Sequence, residues 1–240
     1  MRSKRPHGKT EQRGKPIHAD QAYIAKIRDE EPQKDKISDH KITGAQPSAS
    51  NIFTAINFFA EAGLLKKVKR SGWWVAGIKD PESVADHCFR CAVIAYFIAH
   101  QEKVDVYKTV IMALFNDIHE SRINDLHKMG HYYIDFKEAE KRVFRDQTQF
   151  LPSLISSELR HLREEYDTQK TKESLVARDA DILECLLQAK EYYDNGHTKA
   201  RRFFKTAPDH LKTGTARQLW QQMQHWDSAA WWENVVKFER

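Results

Sequence analysis

Strand patterns are nearly missing from this 240-residue sequence. Alternation of apolar and polar residues over four or more positions is hard to find, which argues against a sandwich, a barrel or an open sheet. Long apolar runs are missing too. The longest, Cys91–Ala99, is about half of the roughly 18 residues that a membrane-spanning helix needs. The N-terminus is basic but lacks the apolar segment of a signal peptide. Cysteine is scarce and odd in number, three in all, which speaks against a secreted disulfide framework. These absences lead us to expect an intracellular, cytoplasmic protein with no membrane partner.

What is present fits a soluble globular chain, with 40% hydrophobic and 30% charged residues. The net charge of +5 permits an anionic partner without identifying one. Much of the excess sits at the front, where residues 1–16 carry six Lys/Arg against one acid and no apolar period. A solvated, disordered tail over 1–47 is the expectation. No aromatic interleaving supports a nucleic-acid-binding arm, so nucleic acid is not an expected partner.

From Pro47 the pattern becomes helical. Ser50 precedes Ile52, Phe53, Ile56, Phe59 and Ala60, a spacing that stops at Gly63. "VKRSGWWVAGI" reads as a loop. Asp80-Pro81 reads as N-cap and first helical position of a helix reaching about Gln101, and Asp105 starts another. Helical periodicity returns over 135–150, 153–166, 171–194, 215–224 and 228–238. The fold class expected is all-α: one bundle-like domain over 48–240, with its motifs within 70–195 and C-terminal helices over 213–238.

Three of these helices carry ionisable residues where a core face should be apolar. His87 shares a stripe with Val84, Cys88, Cys91 and Ala95, and Asp117 shares one with Val110, Ala113, Leu114 and Ile118. Asp179, Asp181 and Glu184 interrupt Leu175, Val176, Ile182, Leu183, Leu186 and Leu187. A buried aspartate is costly unless paired or bound to a cation. One histidine and two aspartates projecting inward from three helices is a way for a bundle to build a divalent metal site. Helical phase leaves Asp179 as a rival of Asp181. Cys88-x-x-Cys91 lies mid-helix and reads as two small core residues, "HKMGHYY" as a loop, and the C-terminal tryptophans as packing.

"ESVADH", "ALFNDIHESRINDL" and "ARDADILECLLQAKEY" resemble, in order and spacing, the three motifs of the HD-domain metal-dependent phosphohydrolases, and most nearly their 5'-deoxynucleotidase-like branch. The resemblance extends to "RSGWW". It implies a divalent metal ion (Mn, Co, Fe, Ni, Mg or Zn) held by His87, Asn116, Asp117 and Asp181. It implies that Glu120 and Asp125 handle the attacking water and the proton traffic of P–O cleavage. It places Arg70 on a phosphate and Trp73 against the sugar or base of a small nucleotide, most nearly a deoxynucleoside 5'-monophosphate. It also implies a homodimer. The chain departs from the pattern at Asn116, which stands where the family has its second histidine. An amide oxygen is a weak, hard, neutral donor, so the substitution is expected to favour Mn or Mg over softer ions. His119, His127 and His131 are neighbouring replacements to consider. The alternative is a catalytically silent domain that binds or senses a nucleotide or a protein.

Overall fold

The computed structural model describes residues 49–233, with side chains from Ile52 to Trp232. The chain divides at Gln46/Pro47. The expected tail lies outside the described residues, as does the end of the last expected helix. Among the described residues there are helices and turns but no strand; one isolated bridge joins Lys69 to Ser83. No helix here is long and apolar enough to cross a membrane.

The helices are α1 (Ala49–Leu64), α2 (Gly72–Val75), α3 (Val84–Glu102), α4 (Val106–Phe115), α5 (Glu120–Ile123), α6 (Lys128–Tyr133), α7 (Phe136–Thr148), α8 (Ser153–Thr168), α9 (Lys172–Asp194), α10 (Gly214–Met223) and α11 (Ala230–Glu233), with 3-10 turns over Thr198–Lys205 and Ala207–His210. Local chemistry explains several starts. Asp105, Thr171 and Thr213 each accept a backbone N–H three residues on, as N-caps do. The start expected at Asp80-Pro81 falls three residues later. Ser83 is the cap, in a capping box with Asp86, while Asp80 is exposed and pairs with Lys69 at 2.7 Å. "HKMGHYY", expected as a loop, contains α6, capped by His127. Asn195-Gly196 ends α9, and Gly196 takes the left-handed φ of 93° that a side chain would resist.

The core forms where α3, α4 and α9 meet. Cys91, Ala95, Met112, Ala113, Ala177 and Ala180 pack together near its middle. The alanines and Cys91 among them let helix axes approach closely, which brings the longer polar side chains nearby within reach of one another. Ile98, Ala99, Val176, Leu183, Leu186, Leu211 and Trp220 fill the end where α10 packs. Leu114, expected on the inner face of α4, is exposed; Ala113 faces inward as expected, joined by Thr109 and Met112. Of the C-terminal tryptophans, Trp220 packs in the core, whereas Trp231 and Trp232 are exposed.

Candidate metal and phosphate site

His87 stands one turn into α3 and is 1% exposed. Its Nε2 faces Asp181 Oδ1 on α9 at 3.1 Å and Asp117 Oδ2, just past the end of α4, at 3.5 Å. The expected trio therefore does converge on one ring nitrogen. Asp117 Oδ2 is buried and accepts no hydrogen bond; Arg70 Nη1 stands off at 3.5 Å, so the oxygen keeps a lone pair that a closer cation would satisfy. Asp179, the rival position, points elsewhere. It is fully buried and accepts the backbone N–H groups of Lys212 (2.8 Å to Oδ1) and Thr213 (2.7 Å to Oδ2), so it anchors the segment leading into α10.

The turn after α4 explains why Glu120 joins the group. Asn116 closes the helix, and the chain then continues with i→i+3 bonds, Ile118 N–H to Phe115 O and Glu120 N–H to Asp117 O. Side chains three apart are eclipsed in that geometry, which places Glu120 beside Asp117. Burial pushes the Glu120 carboxyl well above the usual carboxylate range, with Asp117 and Asp125 adding to the shift. Its Oε2 is buried without a partner. Asn124 then takes a positive φ of 62° and turns the chain so that Asp125 meets the loop before α2.

That loop is pinned to the start of α3 by Arg70 N–H to Glu82 O at 3.1 Å and Val84 N–H to Val68 O at 2.8 Å. Ser71 donates to Asp125 Oδ1 from both its N–H (2.8 Å) and its Oγ (2.6 Å). Arg70 Nη1 lies 3.5 Å from Asp117 and 3.4 Å from Asp125. Trp73, by contrast, is 2% exposed. Its ring packs against Tyr192 and Phe203, with centroids 5.1 and 4.5 Å away, and its indole N–H donates to Glu82 Oε1 at 2.9 Å. Its neighbour Trp74 is half exposed.

Asn116 turns its amide nitrogen to Asp117 Oδ1 at 2.8 Å. His119 does not fill in for the family's histidine. Its Nδ1 faces Asn116 O at 3.1 Å, and its Nε2 faces Glu140 at 3.6 Å. His131 packs edge-on against Phe136, and His127 Nδ1 accepts from Gly130 N–H at the start of α6.

Several groups around His87 escaped the sequence reading. Cys91 is a buried core residue, as expected, but its Sγ also lies 3.4 Å from His87 Nε2. Among the described residues, His87, Cys91 and Asp181 form one group whose donor atoms are close enough to share a cation; Glu82, His87 and Glu184 form another. Glu184 meets His87 Nδ1. Arg178 donates to Asp181 Oδ2 at 2.6 Å. Burial opposes ionisation of Asp181, but Arg178 and then His87 outweigh it and hold the carboxyl well below its usual range. The legible signal was the three-residue spacing of Asp181 and Glu184, which puts both on one face of α9.

The family model described as "HD domain" matches residues 62–224. The 5'-deoxynucleotidase HDDC2 of Homo sapiens is 32% identical over 161 residues, which cover 67% of this chain and 78% of that protein. The 5'-deoxynucleotidase HDDC2 of Dictyostelium discoideum is 33% identical, covering 59% and 79%. A solved structure of a conserved hypothetical protein from Pyrococcus furiosus superposes with a TM-score of 0.61 at 30% identity, covering 71% of this chain and 99% of that one. With its histidine and two aspartates gathered at one ring nitrogen inside an all-helical core, the chain belongs to the HD-domain family.

Proposed function

We propose that this chain is a metal-dependent phosphohydrolase that releases phosphate from deoxynucleoside 5'-monophosphates. The observation that carries the reading is the buried Asp117 Oδ2, which makes no hydrogen bond and has Arg70 Nη1 and His87 Nε2 only at 3.5 Å, beside Asp181 Oδ1. A nitrogen and carboxylate oxygens suit Mn, Fe, Co, Ni, Zn or Mg. His87, Asp117 and Asp181 would hold the ion, and Asn116 would either add its amide oxygen or orient Asp117. When bound, such an ion supplies Lewis-acid polarisation of the phosphoryl group and lowers the pKa of an attacking water.

The chain's own residues do the rest. Arg70 offers its guanidinium to phosphate oxygens. Asp125 braces it by holding both Arg70 and Ser71. Glu120, biased toward its protonated form, is placed to exchange a proton with the attacking water or the leaving 5'-oxygen. Trp73 supports the site from within, by fixing Glu82 and the loop that carries Arg70. That is a different task from the sugar or base contact the resemblance implied, and Trp74 is the ring free to meet a substrate. The 5'-deoxynucleotidases among the relatives support the substrate class.

Metal analysis joined to a phosphate-release screen over dNMPs and dNTPs tests the reading. The expected result is about one divalent ion per chain, release from dNMPs, and loss of both in Asp117→Ala. Wild-type protein that takes up no ion under saturating Mn, Co or Ni would sink it. The amide at 116 favours one second reading, a silent nucleotide-binding domain; nucleotide binding without phosphate release would select it. A cytoplasmic setting and a homodimer belong to the leading reading. The exposed stripe of Phe89, Val93, Tyr96 and Phe97 on α3 supports the dimer, and sedimentation checks it.

A further inference from the structure

Glu184 is fully buried and sits three residues beyond Asp181 on α9. Its Oε2 meets His87 Nδ1. Its Oε1 accepts two bonds from Arg90, from Nε at 3.0 Å and Nη2 at 2.8 Å. Arg90 is itself held by Gln188 Oε1 at 2.6 Å and by both oxygens of Glu191, at 2.7 and 2.9 Å. Isolating a charge this deeply is costly, and a buried carboxylate persists only with partners. Here the partners are a guanidinium on one side and an imidazole on the other. That imidazole is the one whose opposite nitrogen faces Asp117 and Asp181. A ring that donates from Nδ1 presents a lone pair at Nε2, and such partners behind a histidine set its tautomer and orientation.

We propose that Glu184 is a positioning residue for the metal centre. Its carboxylate, braced by Arg90, keeps the proton of His87 on Nδ1 and aims Nε2 between Asp117 and Asp181. This rests on the metal reading above. It adds that α9 contributes twice, with Asp181 to the ion and with Glu184 to the ring behind it. Arg90 joins the device because it lies three residues after His87 on α3, so its guanidinium can reach α9 beside the ring.

The test uses full-length protein loaded with zinc. Nitrogen–proton correlation spectra of the imidazoles report which ring nitrogen carries the proton, and competition with a chelating dye reports zinc affinity. In the wild type we expect zinc on Nε2 and a slowly exchanging, hydrogen-bonded proton on Nδ1 of His87. Glu184→Ala should lose that proton signal and weaken zinc by about 10–100-fold, the usual effect of removing such a partner. Glu184→Gln can still accept from Nδ1 but cannot also serve Arg90, so it should fall between the two. A role confined to packing would lower the melting temperature and leave the Nδ1 signal and zinc affinity unchanged. That result overturns the inference while leaving the metal reading intact. Zinc on Nδ1 in the wild type overturns it even if neither variant folds. A wild type that binds zinc nowhere removes both.

Discussion

Asn116 is the residue at which this chain and its family part company. Its amide nitrogen is already engaged with Asp117 Oδ1 at 2.8 Å, so the side chain lies against a proposed ligand even where it does not itself ligate. Asn116→His should place a nitrogen donor at the same point and raise affinity for Co, Ni or Zn by about tenfold or more, with a smaller gain for Mg. Asn116→Ala should weaken the harder ions, because it frees Asp117 as well as removing an oxygen. Calorimetric titration of each metal into each variant checks both, and unchanged affinities would take Asn116 out of the centre. Glu120 gives the complementary case. Its Oε2 finds no donor, which leaves it open to the proton transfer proposed above. Glu120→Gln should keep its metal and lose turnover by roughly 10²–10⁴-fold, read from steady-state phosphate release beside metal content.

The helix α9 shows how one element serves two purposes with acids two residues apart. Asp181 faces His87, while Asp179 faces the segment entering α10 and accepts the N–H groups of Lys212 and Thr213. Asp179→Ala leaves those donors without their charged acceptor, at a cost of about 2–3 kcal/mol. Its melting temperature should fall while metal content and turnover per folded molecule hold. Asp181→Ala should do the reverse. Equal metal loss in the two proteins would mean that the helix moves as a unit and that the division of roles is wrong. Helix spacing alone could not make this assignment, because two residues apart on a helix is about 200° of rotation, and which side is the site depends on where α3 and α10 pack.

At the scale of the whole molecule, buried clusters among the described residues hold α3, α4, α8, α9 and α10 together, and the matched family region begins at residue 62. Removing residues 1–45 should therefore leave hydrolysis within about twofold. It should leave the melting temperature within a few degrees, which corresponds to less than about 1 kcal/mol for a domain of this size. Thermal melts and turnover of the truncated chain check this. A large fall in either would place part of the working domain in the tail.

Spacing by itself determined the helical class, the order of the longer helices and the inward positions His87 and Asp117, because 3.6-residue periodicity and capping residues act over a few neighbours in the chain; on α9 it left Asp179 and Asp181 as rivals, and the motif resemblance chose Asp181. The resemblance of the motifs pointed to Arg70, Glu120 and Asp125, and the fold brings these beside the same centre. Only tertiary structure decided what long-range packing controls. Trp73 is buried because Tyr192 and Phe203 return to it from more than a hundred residues away. His119 faces Glu140 because the turn after α4 advances three residues per turn and sets it apart from Asp117 and Glu120. Glu184 and Arg90 pair across two helices whose separation no local pattern encodes. A side chain's partners depend on which helices pack face to face, and that is settled by how the whole apolar surface is buried at once.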